Sequence, residues 1–77
     1  MKLSKAIGKR VEILLKERNM TQYKLSKKGG IPRSTISVII DGKYETVKLD
    51  TVYQIVATLD ISLKEFFDHE IFDDIED

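Results

Sequence analysis

Apolar residues recur at a helical interval along most of this chain. Leu3, Ile7, Val11, Leu14 and Leu15 fall three or four positions apart, the spacing that lines up side chains on one face of a helix. The pattern predicts a first helix over residues 4–18, with Ser4 as its start cap and Asn19-Met20 at its end. Thr21 is a good cap for a short second helix that runs to Lys28. The Gly29-Gly30 pair stops it, because glycine adopts the left-handed backbone of a helix C-cap without strain. Ile31 is expected to point inward, and Pro32 suits the first position of a third helix over residues 32–41.

That third segment carries a conflict. Thr35, Ile36, Val38, Ile39 and Ile40 are β-branched, and their propensity favours a strand. Their spacing favours a helix. Ile36, Ile39 and Ile40 share one side, while Arg33, Ser34, Ser37, Val38 and Asp41 fall on the other, within an arc of about 140°. Gly42 ends the segment, and residues 42–46 read as a loop. Leu49, Val52, Tyr53, Val56 and Leu59 predict a fourth helix over residues 48–58, broken at Asp60. Ser62 and Glu65 have the capping-box spacing for a short fifth helix containing Leu63, Phe66 and Phe67. No strand period, repeat or low-complexity linker interrupts the series. The expected fold is all-α, a single five-helix bundle.

A chain of 77 residues can fill one small core but not a binding domain plus a catalytic one. The absence of cysteine excludes disulfides and thiolate metal sites and fits a reducing compartment, so a cytoplasmic location is expected. No apolar run approaches the ~20 residues of a membrane span, and the basic start lacks the apolar stretch of a signal peptide. Membrane association is not expected. The net charge of zero conceals an asymmetry: residues 1–67 sum to +6 and residues 68–77 to −6. The chain therefore divides into a basic domain, residues 1–67, and an acidic tail, residues 68–77. Such asymmetry suits a polyanion-binding domain with an acidic appendage, although a solvated surface with a frayed tail explains it equally well. Within the tail, Phe67, Ile71 and Ile75 are spaced four apart beside Phe72, which predicts a further amphipathic helical segment. It is free to pack back on the domain, to pair two subunits, to meet a protein partner or to stay disordered.

Catalysis finds little support. The single histidine, His69, sits in the tail, and neither a phosphate-loop glycine pattern nor a base–nucleophile arrangement is present. His69 with Asp73 four residues on reads as a solvent-exposed pair before it reads as a metal site. No catalytic residue, cofactor or metal is expected, and the chain is not expected to be an enzyme.

Two short helices joined by a glycine-containing turn make a helix-turn-helix. Gln22, Leu25, Gly30, Ile31, Ser34, Thr35, Ile36, Ser37, Ile39 and Gly42 stand at the spacings of the Cro/CI-type, lambda-repressor-like domains, and the segment resembles that family. The resemblance continues through residues 49–59 and 61–66 and covers about residues 5–67. Four positions depart from the family pattern. Ser26 stands for the usual Ala, Asp60 for Gly, and Ile40 for Glu or an aromatic residue. Lys48 replaces the Ser or Thr that caps the fourth helix, leaving Thr46 as the alternative cap. The resemblance implies a five-helix lambda-repressor-like domain with its helix-turn-helix at helices 2 and 3. It further implies a sequence-specific regulator of transcription, a repressor of phage, prophage or bacterial type, that binds a double-stranded DNA operator as a homodimer. A protein-interaction adaptor or an antitoxin-like module on the same fold is the alternative.

In such a motif the second helix lies in the major groove. Arg33 opens that helix and could grip guanine O6 and N7, with a phosphate contact as its other role. Ser34 and Ser37 are short enough to approach base edges, with Thr35 at the margin, and Val38 could pack on a thymine methyl. Gln22 resembles the family glutamine that touches both a phosphate and the first residue of the recognition helix. Tyr23, Lys24 and Lys43 are candidate phosphate ligands, aided by the N–H groups at the start of the second helix. Tyr44 is placed either on the sugar-phosphate backbone or over the core. Asp41 would repel phosphate and is read as a local helix-end residue. The acidic tail is expected either to pair subunits or to compete with DNA for the basic face.

Overall fold

The computed structural model describes residues 1–76. Five α-helices follow one another, α1 (Leu3–Glu17), α2 (Gln22–Gly29), α3 (Arg33–Asp41), α4 (Leu49–Thr58) and α5 (Leu63–Phe67), and a single 3₁₀ turn (Glu70–Phe72) closes the chain. No strand occurs among the described residues. The β-branched run 35–40 is helical, as its spacing predicts, because Ile36 and Ile39 are driven into the core from one side of a helix. Burial outweighs the strand propensity of these residues.

The helix ends follow local chemistry. Thr21 Oγ1 accepts from the Lys24 N–H at 3.0 Å, and Ser62 Oγ accepts from the Glu65 N–H at 3.0 Å. The Glu65 carboxylate makes no return bond to Ser62, so only half of the expected capping box forms. Gly30 and Gly42 close α2 and α3 in the left-handed region, each at φ 66°. Asn19 and Asp60 hold the same region at φ 51° and 60°. Asp60 thus occupies the left-handed turn that the family usually gives to glycine, and asparagine and aspartate are the side chains that tolerate it best.

Three expected boundaries shift. α1 begins at Leu3 with Lys2 as an uncapped N-cap, so Ser4 lies inside the helix and is buried rather than capping it. Pro32 is the N-cap of α3, one position before the first helical residue. Lys48 is the N-cap of α4 without a side-chain bond, and Thr46 does not replace it.

The core gathers Ile7, Val11, Leu14 and Leu15 from α1 with Leu25, Ile36, Ile39, Val52, Ile55, Val56 and Phe66. Two members of the α4 pattern stay outside it. Leu49 is 61 % and Tyr53 58 % exposed. Gly8 permits a close approach between α1 and α3: a Cβ there would fall on the Ile39 carbonyl oxygen and within 2.9 Å of that of Ile40. The last turn of α3 therefore rests directly on the α1 backbone, which fixes the height at which α3 leaves the bundle. Arg10, though basic, is not a surface charge. It is 6 % exposed, and its guanidinium donates to the carbonyls of Phe66 (2.7 Å) and Glu65 (3.0 Å) at the end of α5. Cations satisfy the open carbonyls of a helix C-terminus well, and the Phe66 ring lies 5.9 Å from the same group.

The tail folds back on the domain. Only the 3₁₀ turn forms where an amphipathic helix was expected, with His69 Nδ1 accepting from the Ile71 N–H at 3.0 Å. Phe72 packs against the core and makes ring contacts with Phe66 and Phe67 at 5.9 and 5.0 Å. The Met1 ammonium meets Glu76 at 2.9 Å, and the Glu76 N–H donates to the Met1 carbonyl.

Candidate nucleic-acid interface

α2 and α3 meet across a turn held by side chain as well as backbone. The Ser26 hydroxyl donates to the Ile31 carbonyl at 2.5 Å, a brace that the family's usual alanine could not provide. Gly29 brings this end of α2 against α4, where a Cβ would come within 2.5 Å of Thr58 Oγ1. The chain then turns inward at Ile31, 2 % exposed, and α3 starts at the surface.

Arg33 and Ser34 are exposed at the start of α3. Thr35, Ser37 and Val38 are half-buried. The helical arc places Val38 on the outward side, where it forms part of the wall of a cleft of about 430 Å³ beside α3. Ser34, Thr35 and Tyr44 border the same cleft, and so do Thr46, Val47, Lys48 and Thr51, from the loop and the start of α4. The sequence pattern marked Thr46 and Lys48 only as caps and gave no reason to notice Val47 or Thr51. Their position depends on how the loop folds across α3, which no local signal encodes. Tyr44 is 61 % exposed at the rim, so it does not cover the core.

Gln22 is half-buried, and Tyr23 and Lys24 are exposed, all in the first turn of α2. The Lys24 N–H is taken by Thr21, while those of Gln22 and Tyr23 have no backbone partner among the described residues. Free N–H groups at a helix start, with a lysine beside them, attract an anion. Lys43 reaches the Asp41 carboxylate at 3.9 Å, an exposed pair worth about 0–1 kcal/mol and weakened by salt. Asp41 is thus the local helix-end residue expected of it, and it partly offsets Lys43.

The acidic tail does not close this face. None of the cleft-lining residues comes from residues 68–76. Among the described residues, the ion pairs are Met1–Glu76, Lys2–Glu45 and Lys43–Asp41, so the tail carboxylates hold no Lys or Arg of α2 or α3.

An all-α bundle whose second and third helices form a helix-turn-helix, with the third helix open at its start and flanked by Lys24 and Arg33, defines a DNA-binding domain of lambda-repressor-like fold. The chain belongs to the Cro/C1-type HTH DNA-binding domain family, whose model matches residues 10–71. A similar solved structure is the crystal structure of the prophage Lp1 protein 11. It is 22 % identical, with a TM-score of 0.82 over 97 % of this chain and 100 % of that one. That likeness bears out the lambda-repressor-like fold. Comparison with curated proteins returns no match. No helix among the described residues is long and apolar enough to cross a membrane.

Proposed function

We infer that this domain is a sequence-specific regulator of transcription, a repressor that binds a double-stranded operator as a homodimer with α3 in the major groove. The observation that carries the reading is the open outward side of α3, which begins at the exposed Arg33 and Ser34 and is not covered by the tail. In this reading Arg33 contacts a base edge, with guanine O6 and N7 its best match. Ser34, Thr35, Ser37 and Val38 follow along the groove. Gln22, Tyr23, Lys24, Lys43 and Tyr44 hold the phosphate backbone on either side and set the register of the helix. The prophage origin of the similar structure accords with a phage or prophage setting. A cytoplasmic location and a lack of enzymatic activity follow from the same reading.

One domain of this size reads only a few base pairs, so two copies on half-sites about one helical turn apart are the natural arrangement. If about six phosphates are contacted per dimer, affinity falls roughly a thousandfold between 50 and 200 mM salt. The test is selection of bound duplexes from a random pool, repeated with Arg33→Ala. Enrichment of a sequence by the parent, and loss of discrimination at one base position in the variant, supports the reading. A pool that stays random overturns it and leaves the adaptor role. Uniform weakening by Arg33→Ala would assign Arg33 to phosphate instead.

A further inference from the structure

Tyr23 enters the reading above as a phosphate ligand through its hydroxyl, and the position of its ring gives it a second task. Its ring lies in the first turn of α2 and is 54 % exposed. Two cations flank it. Lys27 Nζ stands 5.8 Å from the ring centroid and Arg33 Cζ stands 5.9 Å from it. Lys27 is four residues along the same helix, so its approach is a local consequence of helical spacing. Arg33 comes from the other helix, across the turn. Among the described residues it forms no ion pair, since those present involve Met1, Lys2 and Lys43. Among the described residues, the Tyr23 ring is the partner seen for the Arg33 guanidinium.

An exposed arginine has many rotamers, and ordering them on binding costs entropy. A flat aromatic face favours a guanidinium lying over it, and at an exposed site this bias amounts to about two- to five-fold. Among the described residues no ion pair takes up the Arg33 guanidinium, so its N–H groups stay available to a base while the ring attracts the cation. A bidentate contact to a base needs those donors in a fixed plane.

We propose that Tyr23 is a positioning residue: an aromatic platform on the first helix of the motif that holds Arg33, on the second, ready to read a base. Its ring, not its hydroxyl, performs this role. The proposal rests on the DNA-binding reading of Arg33. It also explains how a short α2 can influence specificity, since the ring links the phosphate-facing helix start to the base-facing one. With Lys27 and Arg33 both drawn to one ring and no carboxylate beside them, positive charge is concentrated where a polyanion would arrive.

Two measurements test it, one without DNA. In the free protein, the Arg33 side-chain proton resonances carry a ring-current shift from Tyr23. The shift persists in Tyr23→Phe and disappears in Tyr23→Leu. Equal Arg33 resonances in all three proteins would show that the stack is absent and would overturn the proposal. With the duplex selected above, Tyr23→Phe keeps base discrimination at the position read by Arg33 within about two-fold, whatever overall affinity is lost with the hydroxyl's phosphate contact. Tyr23→Leu loses about two- to five-fold in discrimination at the base position lost by Arg33→Ala. In the Arg33→Ala background, Tyr23→Leu has no further effect on that discrimination. If Tyr23→Phe loses as much discrimination as Tyr23→Leu, the hydroxyl and not the ring holds Arg33. If Tyr23→Leu costs the same with and without Arg33, the two act independently. Either result overturns the proposal. A protein that keeps the ring-current shift but binds no duplex overturns the DNA-binding reading and the positioning role with it, while the contact itself stands.

Discussion

Replacing Gly8 by alanine sets two calculable effects against each other. Gly8 lies inside α1, where alanine would gain about 1 kcal/mol in helix propensity. The added Cβ would meet the carbonyl oxygens of Ile39 and Ile40, which belong to the backbone of the last turns of α3 and cannot rotate aside. Restoring an ordinary carbon–oxygen separation requires α1 and α3 to part by about 1 Å. A gap of that size forfeits a quarter to a half of the dispersion energy across the seam. Overpacking of this kind costs about 1–3 kcal/mol, and the upper end applies where backbone cannot give way, so the net effect is a loss of about 2 kcal/mol. In urea the midpoint should fall by about 1–2 M at unchanged slope, and the melting temperature by about 4–8 °C for each kcal/mol. Gly30→Ala is the control. It meets nothing within 4 Å but must hold φ 66°, which costs about 1–2 kcal/mol without moving α3. Gly8→Ala should therefore weaken DNA binding beyond its effect on folding, and Gly30→Ala should not. A Gly8→Ala protein as stable as the parent, or more stable, would refute the claim that α3 is seated on the α1 backbone.

Other changes follow from single contacts. Arg10→Met removes both bonds to the carbonyls of Glu65 and Phe66 and should cost about 2 kcal/mol in urea unfolding. Because Arg10 is buried, that variant should leave the salt dependence of DNA binding unaltered; a smaller slope would show that Arg10 reaches phosphate. Asp41→Asn releases Lys43 and should raise duplex affinity a few-fold at 50 mM salt, with the gain vanishing in high salt when measured by fluorescence anisotropy. Phe72→Ala removes ring contacts with Phe66 and Phe67 and should destabilise by about 1–2 kcal/mol. Hydrogen exchange in α5 should rise accordingly, and an unaffected α5 would mean that the tail contributes nothing to the core.

The parts of this fold that are legible in the sequence rest on local chemistry. Thr21 and Ser62 cap their helices because a hydroxyl at that position has a free N–H three residues ahead. Gly30 and Gly42 end α2 and α3 because the left-handed backbone there disfavours most other residues. The isoleucines of α3 reveal their helix through spacing in spite of their propensity. What the sequence leaves obscure depends on neighbours distant along the chain. Gly8 is unremarkable until Ile39 and Ile40 are seen beside it. Arg10 reads as one more surface charge until its partners, more than fifty residues on, are known. The same holds at the candidate site. Arg33 and Ser34 are open as the helical arc predicts, whereas Val38 is drawn into a cleft by a loop whose path the pattern does not specify. Tyr23 follows the same rule, since its relation to Arg33 depends on the angle between two helices. The spacing of Phe67, Ile71 and Ile75 predicts a helix in the tail, but a 3₁₀ turn forms there, and Phe72 packs against α5 and the core.

Chemical-shift mapping of the labelled domain with the duplex recovered by selection addresses the main claim most directly. The account predicts that amides of Gln22 to Lys24, Arg33 to Val38 and the loop at Lys43 and Tyr44 move on titration, while those of residues 70–76 stay in place. Shifts confined to α4 and the tail, with Arg33 and Ser34 silent, would contradict it.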